Sequence, residues 1–137
     1  MSIQAKINNV VIIMYAHSQK EEISNKIRAL SLFNDSTDKF FDDLVANAQI
    51  LTLEKGQILF LHGDRADKFY LITKGWIKLF RETLDGTQAV IDILNTNNIF
   101  GETAIFQDNI SSYSAEATER SEVISLPLPL LKAEIES

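Results

Sequence analysis

Between positions 50 and 101 the chain breaks into short apolar segments separated by turn residues, and all five of its glycines fall there. The breaks are Glu54-Lys55-Gly56, His62-Gly63-Asp64, Thr73-Lys74-Gly75, Leu84-Asp85-Gly86 and Asn95-Thr96-Asn97-Asn98. Turn signals recurring every ~8–12 residues leave room only for short strands, and an antiparallel sandwich or barrel is what such strands build. The segments between the breaks alternate with a period of two. Ile77 and Leu79 oppose Lys78, and Ala89, Ile91 and Ile93 oppose Asp92. That period is expected of strands with one buried face. Asp85-Gly86 between two such strands predicts a hairpin tip.

Helical signals flank this region. Ser18 precedes Gln19, Lys20, Glu21 and Glu22, a capping side chain followed by acids, and Ile23, Ile27 and Leu30 recur on one helical face. After a break at Asn34-Asp35-Ser36, a second amphipathic stretch carries Phe40, Phe41, Leu44 and Val45. Two short helices in tandem are therefore expected over 18–47. Near the other end a strand is predicted from Glu122 to Leu126, interrupted by Pro127 and Pro129, with a helix beginning over Leu130–Glu136.

The composition narrows the function. With 45% hydrophobic and 23% charged residues the chain reads as one globular domain. Its thirteen basic residues are scattered among nineteen acids for a net charge of −6, which argues against gripping a nucleic-acid backbone through this chain. The absence of cysteine excludes a disulfide framework, a thiolate nucleophile and cysteine-held metal, and is compatible with the cytoplasm. The apolar run Val10–Ala16 is too short for a membrane helix, which takes about 20 residues. Without a small-residue cleavage site it reads as a packed element rather than a signal peptide.

The run from Lys55 to Leu79 resembles the first half of a cyclic-nucleotide-binding domain of the CRP/FNR superfamily. It shares the opening Gly56, the Gly63-Asp64-Arg65-Ala66 turn, the Phe69-Tyr70-Leu71-Ile72 strand and Gly75 before the next strand. Asp85-Gly86 matches the usual hairpin tip. Ile99-Phe100-Gly101-Glu102-Thr103-Ala104-Ile105-Phe106 is similar to the phosphate-binding cassette, and Tyr113-Ser114-Ala115-Glu116-Ala117 and Val123–Pro127 follow in order. The resemblance spans roughly residues 25–135. It implies an antiparallel β-roll, or jelly roll, flanked by short helices, with residues 1–24 as an N-terminal extension and 25–137 as the sensor domain. It implies a small-molecule effector, with cyclic AMP and cyclic GMP as candidates, bound by Gly101, Glu102, Thr103, Ala104, Tyr113, Ser114 and Ala115, and with Leu79 and Ile91 lining the pocket. In nucleotide binders the cassette glutamate accepts from the ribose hydroxyl, and an arginine before Ser-Ala clamps the cyclic phosphate. Here Tyr113 stands in the arginine's place, which sets this chain apart from cyclic-AMP receptors and nearer the FNR and nitric-oxide-responsive branches.

Each of these residues has a plainer reading. Glu102 could be a helix-start acid favoured by the dipole. Tyr113 reads more naturally as a packed ring, Ser114 as either an anion donor or a strand-end cap, and Leu79 and Ile91 as core. His17 and His62, 45 positions apart, do not make a convincing haem or metal site, so haem stays a minor alternative. A cupin-like enzyme would need several converging histidines, and no catalytic constellation stands out, so a sensor rather than an enzyme is expected. Because regulators of this superfamily continue into a dimerisation helix and a helix-turn-helix, a longer, homodimeric parent protein that reaches DNA through its C-terminal part is expected. A stand-alone cyclic-nucleotide module is the alternative.

Overall fold

The computed structural model describes residues 38–136. The first of the two helices predicted over 18–47, the boundary at 24/25 and His17 lie outside the described residues. The chain divides into two compact units at Ala46/Asn47. In the first, helix α1 (Asp38–Ala46) buries Phe40, Phe41 and Leu44, the face that the apolar spacing predicts. Phe40 and Phe41 meet edge to face at 5.7 Å.

The second unit holds eight strands, β1 (Gln49–Leu53), β2 (Ile58–Phe60), β3 (Lys68–Lys74), β4 (Ile77–Glu82), β5 (Gln88–Leu94), β6 (Ile99–Phe100), β7 (Ser114–Ala117) and β8 (Ser121–Pro127). A 3-10 helix (Glu102–Phe106) separates β6 from β7, and helix α2 (Leu128–Glu136) follows β8. The strands form two four-stranded antiparallel sheets, β1-β8-β3-β6 and β2-β7-β4-β5. Leu53, Ile72, Phe100 and Val123 from the first sheet meet Ile77, Leu79, Ala115 and Ala117 from the second in one buried cluster that also takes in Tyr113. The predicted antiparallel roll is the observed architecture. Strand β8 lies between β1 and β3 and is buried almost throughout, from Val123 to Leu126, because both faces of a central strand are covered.

Gly75 turns β3 into β4 at φ +94, and a Cβ there would stand 2.8 Å from the Ser121 Cα. Only glycine satisfies both the left-handed backbone and that approach. The Ser121 hydroxyl oxygen in turn accepts from the Trp76 N–H at 3.1 Å, which ties the turn to the start of β8. The predicted hairpin tip is formed as well. Thr83 N–H donates to the Thr87 carbonyl at 2.8 Å, and the Asp85 carboxylate accepts from both the Thr83 and Thr87 hydroxyls.

Strand β5 corrects the expectation for its buried face. All but Leu94 of its residues are exposed, and Ile91, expected in the core or lining a pocket, is 52% exposed. The cause is a bulge. Leu79 pairs with Asp92 while Phe80 pairs with Val90, which leaves Ile91 as the extra residue. Cross-strand partners share a face, so the core side of β5 carries Leu94 and Asp92 rather than Ile91 and Ile93. The Ile93 N–H donates to the Asp92 carboxylate at 2.8 Å, within this edge strand itself.

Candidate functional site

The 3-10 helix and the loop after it form a compact cassette at the end of β6. Gly101 opens it at φ +84, a conformation that L side chains rarely adopt. The Ala104 carbonyl closes the turn by accepting from Gln107 N–H at 3.0 Å and Asn109 N–H at 2.9 Å. Asp108 and Asn109 follow in left-handed conformations, which short polar side chains tolerate best. The loop is then pinned to the Gly63–Ala66 turn. Ala66 N–H donates to the Asn109 carbonyl, Ser111 N–H to Asp64, and Gly63 N–H to Ser111, all at 2.8–2.9 Å. The Gly-Asp-x-Ala turn, noticed in the sequence as a marker, is thus the anchor that fixes the cassette.

Tyr113 is buried and its phenol oxygen accepts from the Gly101 N–H at 2.5 Å. Its ring lies 5.9 Å from that of Phe60. Phe60, Tyr70 and Phe100 stack on one another with centroids 5.2–6.1 Å apart, so the cassette rests on an aromatic layer. Burial raises the phenol's pKa above its ordinary 10.0, a shift that the Gly101 bond opposes and the nearby Glu102 carboxylate reinforces. The packed reading of Tyr113 is therefore what the structure presents, with a hydrogen bond that the sequence did not reveal.

Glu102 follows immediately. Its Oε2 is shut off from solvent and has no hydrogen-bond partner. Burial raises its carboxyl pKa above 4.5, with its own backbone N–H pulling in the opposite direction. An acceptor buried without a donor is costly.

The remaining residues divide. Thr103 is exposed, with its hydroxyl 3.4 Å from that of Ser112. Ala104 and Ala115 are buried and Leu79 lies in the core cluster, so these three are packed residues. Ser114 is buried, and its hydroxyl oxygen accepts from the His62 N–H at 2.8 Å, a link between loop and strand rather than a free anion donor. Ile91 does not join the site. His62 is exposed in its turn, and among the described residues no group of three His, Cys, Asp or Glu is placed to hold a metal. Arg120, the nearest downstream cation by sequence, lies 3.6 Å from Glu54.

Sequence reasoning missed Arg81. It lies exposed near the end of β4, and its Nε donates to the Ser112 carbonyl at 2.6 Å. No local pattern announces a contact across 31 positions. Separately, a cavity of about 40 Å³ lies between the cassette and the Gly63–Ala66 anchor, lined among others by Phe60, Arg65, Tyr70, Gly101 and Ser111. It has room for a few waters and is far below the ~300 Å³ at which small-molecule pockets begin.

The sheet order, the cassette and the turn that anchors it define a β-roll. The sequence model of the cyclic nucleotide-binding domain matches residues 50–137, and the chain belongs to that family. It is 32% identical over 72 residues to the cyclic AMP receptor protein of Thermus thermophilus, covering 53% of this chain and 33% of that protein. It is 33% identical over 86 residues to the global nitrogen regulator of Synechococcus elongatus, covering 61% of this chain and 39% of that one. The chain thus spans between a third and two fifths of the length of these curated relatives. The sensor domain of the transcriptional regulator DNR from Pseudomonas aeruginosa superposes with a TM-score of 0.79 at 22% identity, over 86% of this chain and 79% of that domain, a likeness of fold.

Proposed function

We propose that this chain is the effector-sensing domain of a CRP/FNR-type transcription regulator, with a small effector seated at the cassette and donating a hydrogen bond to Glu102. The observation that carries the reading is the buried Glu102 Oε2 without a partner, set one residue after the left-handed Gly101. Gly101–Ala104 would form the floor of the site, Leu79 and Ala115 its apolar wall, and Tyr113 its fixed edge. The sensing unit would comprise residues 25–137. In the whole protein the effector would bias a two-state element packed on the roll, as expected of a cytoplasmic homodimer that contacts DNA through a segment outside this chain. Among the described residues no helix is long and apolar enough to cross a membrane. The role proposed is regulatory, with no catalytic step.

Calorimetric titration of the wild type and of Glu102→Gln with cyclic AMP and cyclic GMP tests this. Binding of at least one of the two is expected, weakened about tenfold by Glu102→Gln through the loss of a hydrogen bond to a charged group. Binding that Glu102→Gln leaves unchanged would overturn the assignment of Glu102.

A further inference from the structure

Resting on the effector-site reading above, we infer that Arg81 is the cassette's anion-binding residue and that the effector carries both an oxyanion and a hydroxyl. The cation absent from position 113 is supplied from another strand. In the β4–β7 register Leu79 pairs with Ala115 and Phe80 with Ser114, which brings Arg81 level with Tyr113 at the mouth of the roll. Alternation along β4 places Arg81 on the same side as Ile77 and Leu79, both of them core residues. On its other side β4 pairs Arg81 with Ala89, and Arg81 is exposed.

Arg81 is tied to the cassette through Ser112. Its Nε donates to the Ser112 carbonyl at 2.6 Å, and the Ser112 hydroxyl oxygen lies 3.4 Å from that of Thr103. The bond to Ser112 uses one of the five guanidinium N–H donors and leaves the terminal pair, the fork that grips a phosphate or carboxylate with two parallel bonds. Among the described residues the ion pairs are Lys39–Asp43, Lys78–Glu116 and Arg120–Glu54, so Arg81 is not neutralised by a carboxylate there. Asp92, on the core side of β5, is the acid that weighs against an anion. Its carboxylate is taken up by the Ile93 N–H.

Glu102 and Arg81 then divide the work. The buried carboxylate oxygen accepts from a hydroxyl, and the guanidinium, tethered one residue before Tyr113, takes the oxyanion. A guest with one group alone satisfies half of the site. The shared chemistry is an oxyanion beside a hydroxyl, found in a cyclic nucleotide and in small hydroxylated acids alike.

The test is amide-resolved NMR of the domain titrated with cyclic AMP, adenosine and inorganic phosphate at constant ionic strength, in wild type and Arg81→Gln. Glutamine can still donate to the Ser112 carbonyl while removing the charge, and Arg81→Met serves as a second variant. Cyclic AMP is expected to shift the Thr103, Ser112 and Tyr113 amides. Arg81→Gln is expected to weaken it about tenfold, the lower end for one charge-assisted contact, and to leave adenosine binding unchanged. Cyclic AMP binding equally well to wild type and both variants overturns the role of Arg81 and leaves the effector site at Glu102 standing. Adenosine as tight as cyclic AMP overturns the oxyanion, and phosphate as tight as cyclic AMP overturns the hydroxyl. No shift at the cassette with any of the three probes at millimolar concentration brings down both this inference and the effector-site reading.

Discussion

Replacing Tyr113 with phenylalanine removes one oxygen and leaves the ring that packs 5.9 Å from Phe60. The bond lost is the one from the Gly101 N–H, made inside the fold by a residue only 8% exposed. A buried amide left without an acceptor costs about 1–3 kcal/mol. For a domain of this size ~2 kcal/mol corresponds to a fall of about 8–16 °C in Tm. Urea denaturation followed by tryptophan fluorescence reads the change in midpoint. The slope should stay constant, because the surface exposed on unfolding is unaltered. Tyr70→Phe is the control, since its ring stacks in the same aromatic layer while Gly101 bonds Tyr113. Hydrogen exchange at Gly101 should speed up in Tyr113→Phe and hold steady in the control. Equal stability of Tyr113→Phe and wild type, within ~0.5 kcal/mol, would refute the claim that this hydroxyl holds the cassette.

Three further outcomes follow from the same geometry. Gly75→Ala forces a non-glycine residue to φ +94 and sets its Cβ 2.8 Å from the Ser121 backbone, so a loss of about 3–4 kcal/mol is expected. Gly56→Ala, at φ +85 with open space around it, should lose only ~1–2 kcal/mol, and the difference is read by thermal melts. Glu102 is held above 4.5 by burial, so its protonated form favours the fold. That contribution is complete below 4.5 and disappears as pH rises through the folded value. Glu102→Gln should therefore flatten the pH dependence of stability in that window, measured by urea titrations at stepped pH. At the hairpin tip, the Thr83 and Thr87 hydroxyls lower the Asp85 carboxyl from 3.8 to about 2. The stabilisation it brings is present above 3.8 and lost as pH falls toward 2, and carboxyl-carbon NMR of Thr83→Val should find the Asp85 pKa moved back up.

How far residues alone led differs between scaffold and site. The glycines and turn clusters located the strands because a left-handed turn such as Gly75 needs a particular residue, and the requirement is local. The hairpin at Asp85-Gly86 and the helix bearing Phe40, Phe41 and Leu44 were legible for the same reason. Strand β5 was not, because alternation names two faces without saying which is buried, and a single extra residue at Ile91 shifts the faces past it. In the cassette, Gly101 and Glu102 stood out by residue type and order. The bond from Gly101 to Tyr113 spans 12 positions, and that from Arg81 to Ser112 spans 31. Both depend on strand register, which only the folded chain sets. Ser114 illustrates the converse, since its hydroxyl is engaged by a loop 52 positions earlier.

The central claim is that Glu102 Oε2, buried and without a partner, is the acceptor for an effector at the cassette. A crystal structure of the domain grown with cyclic AMP tests it most directly. The account predicts the ligand on the Gly101–Ala104 turn, with a hydroxyl within hydrogen-bond distance of Glu102 Oε2 and its phosphate beside Arg81. A ligand seated elsewhere on the roll, or a Glu102 Oε2 bonded to a protein group with the cassette closed over it, would contradict it.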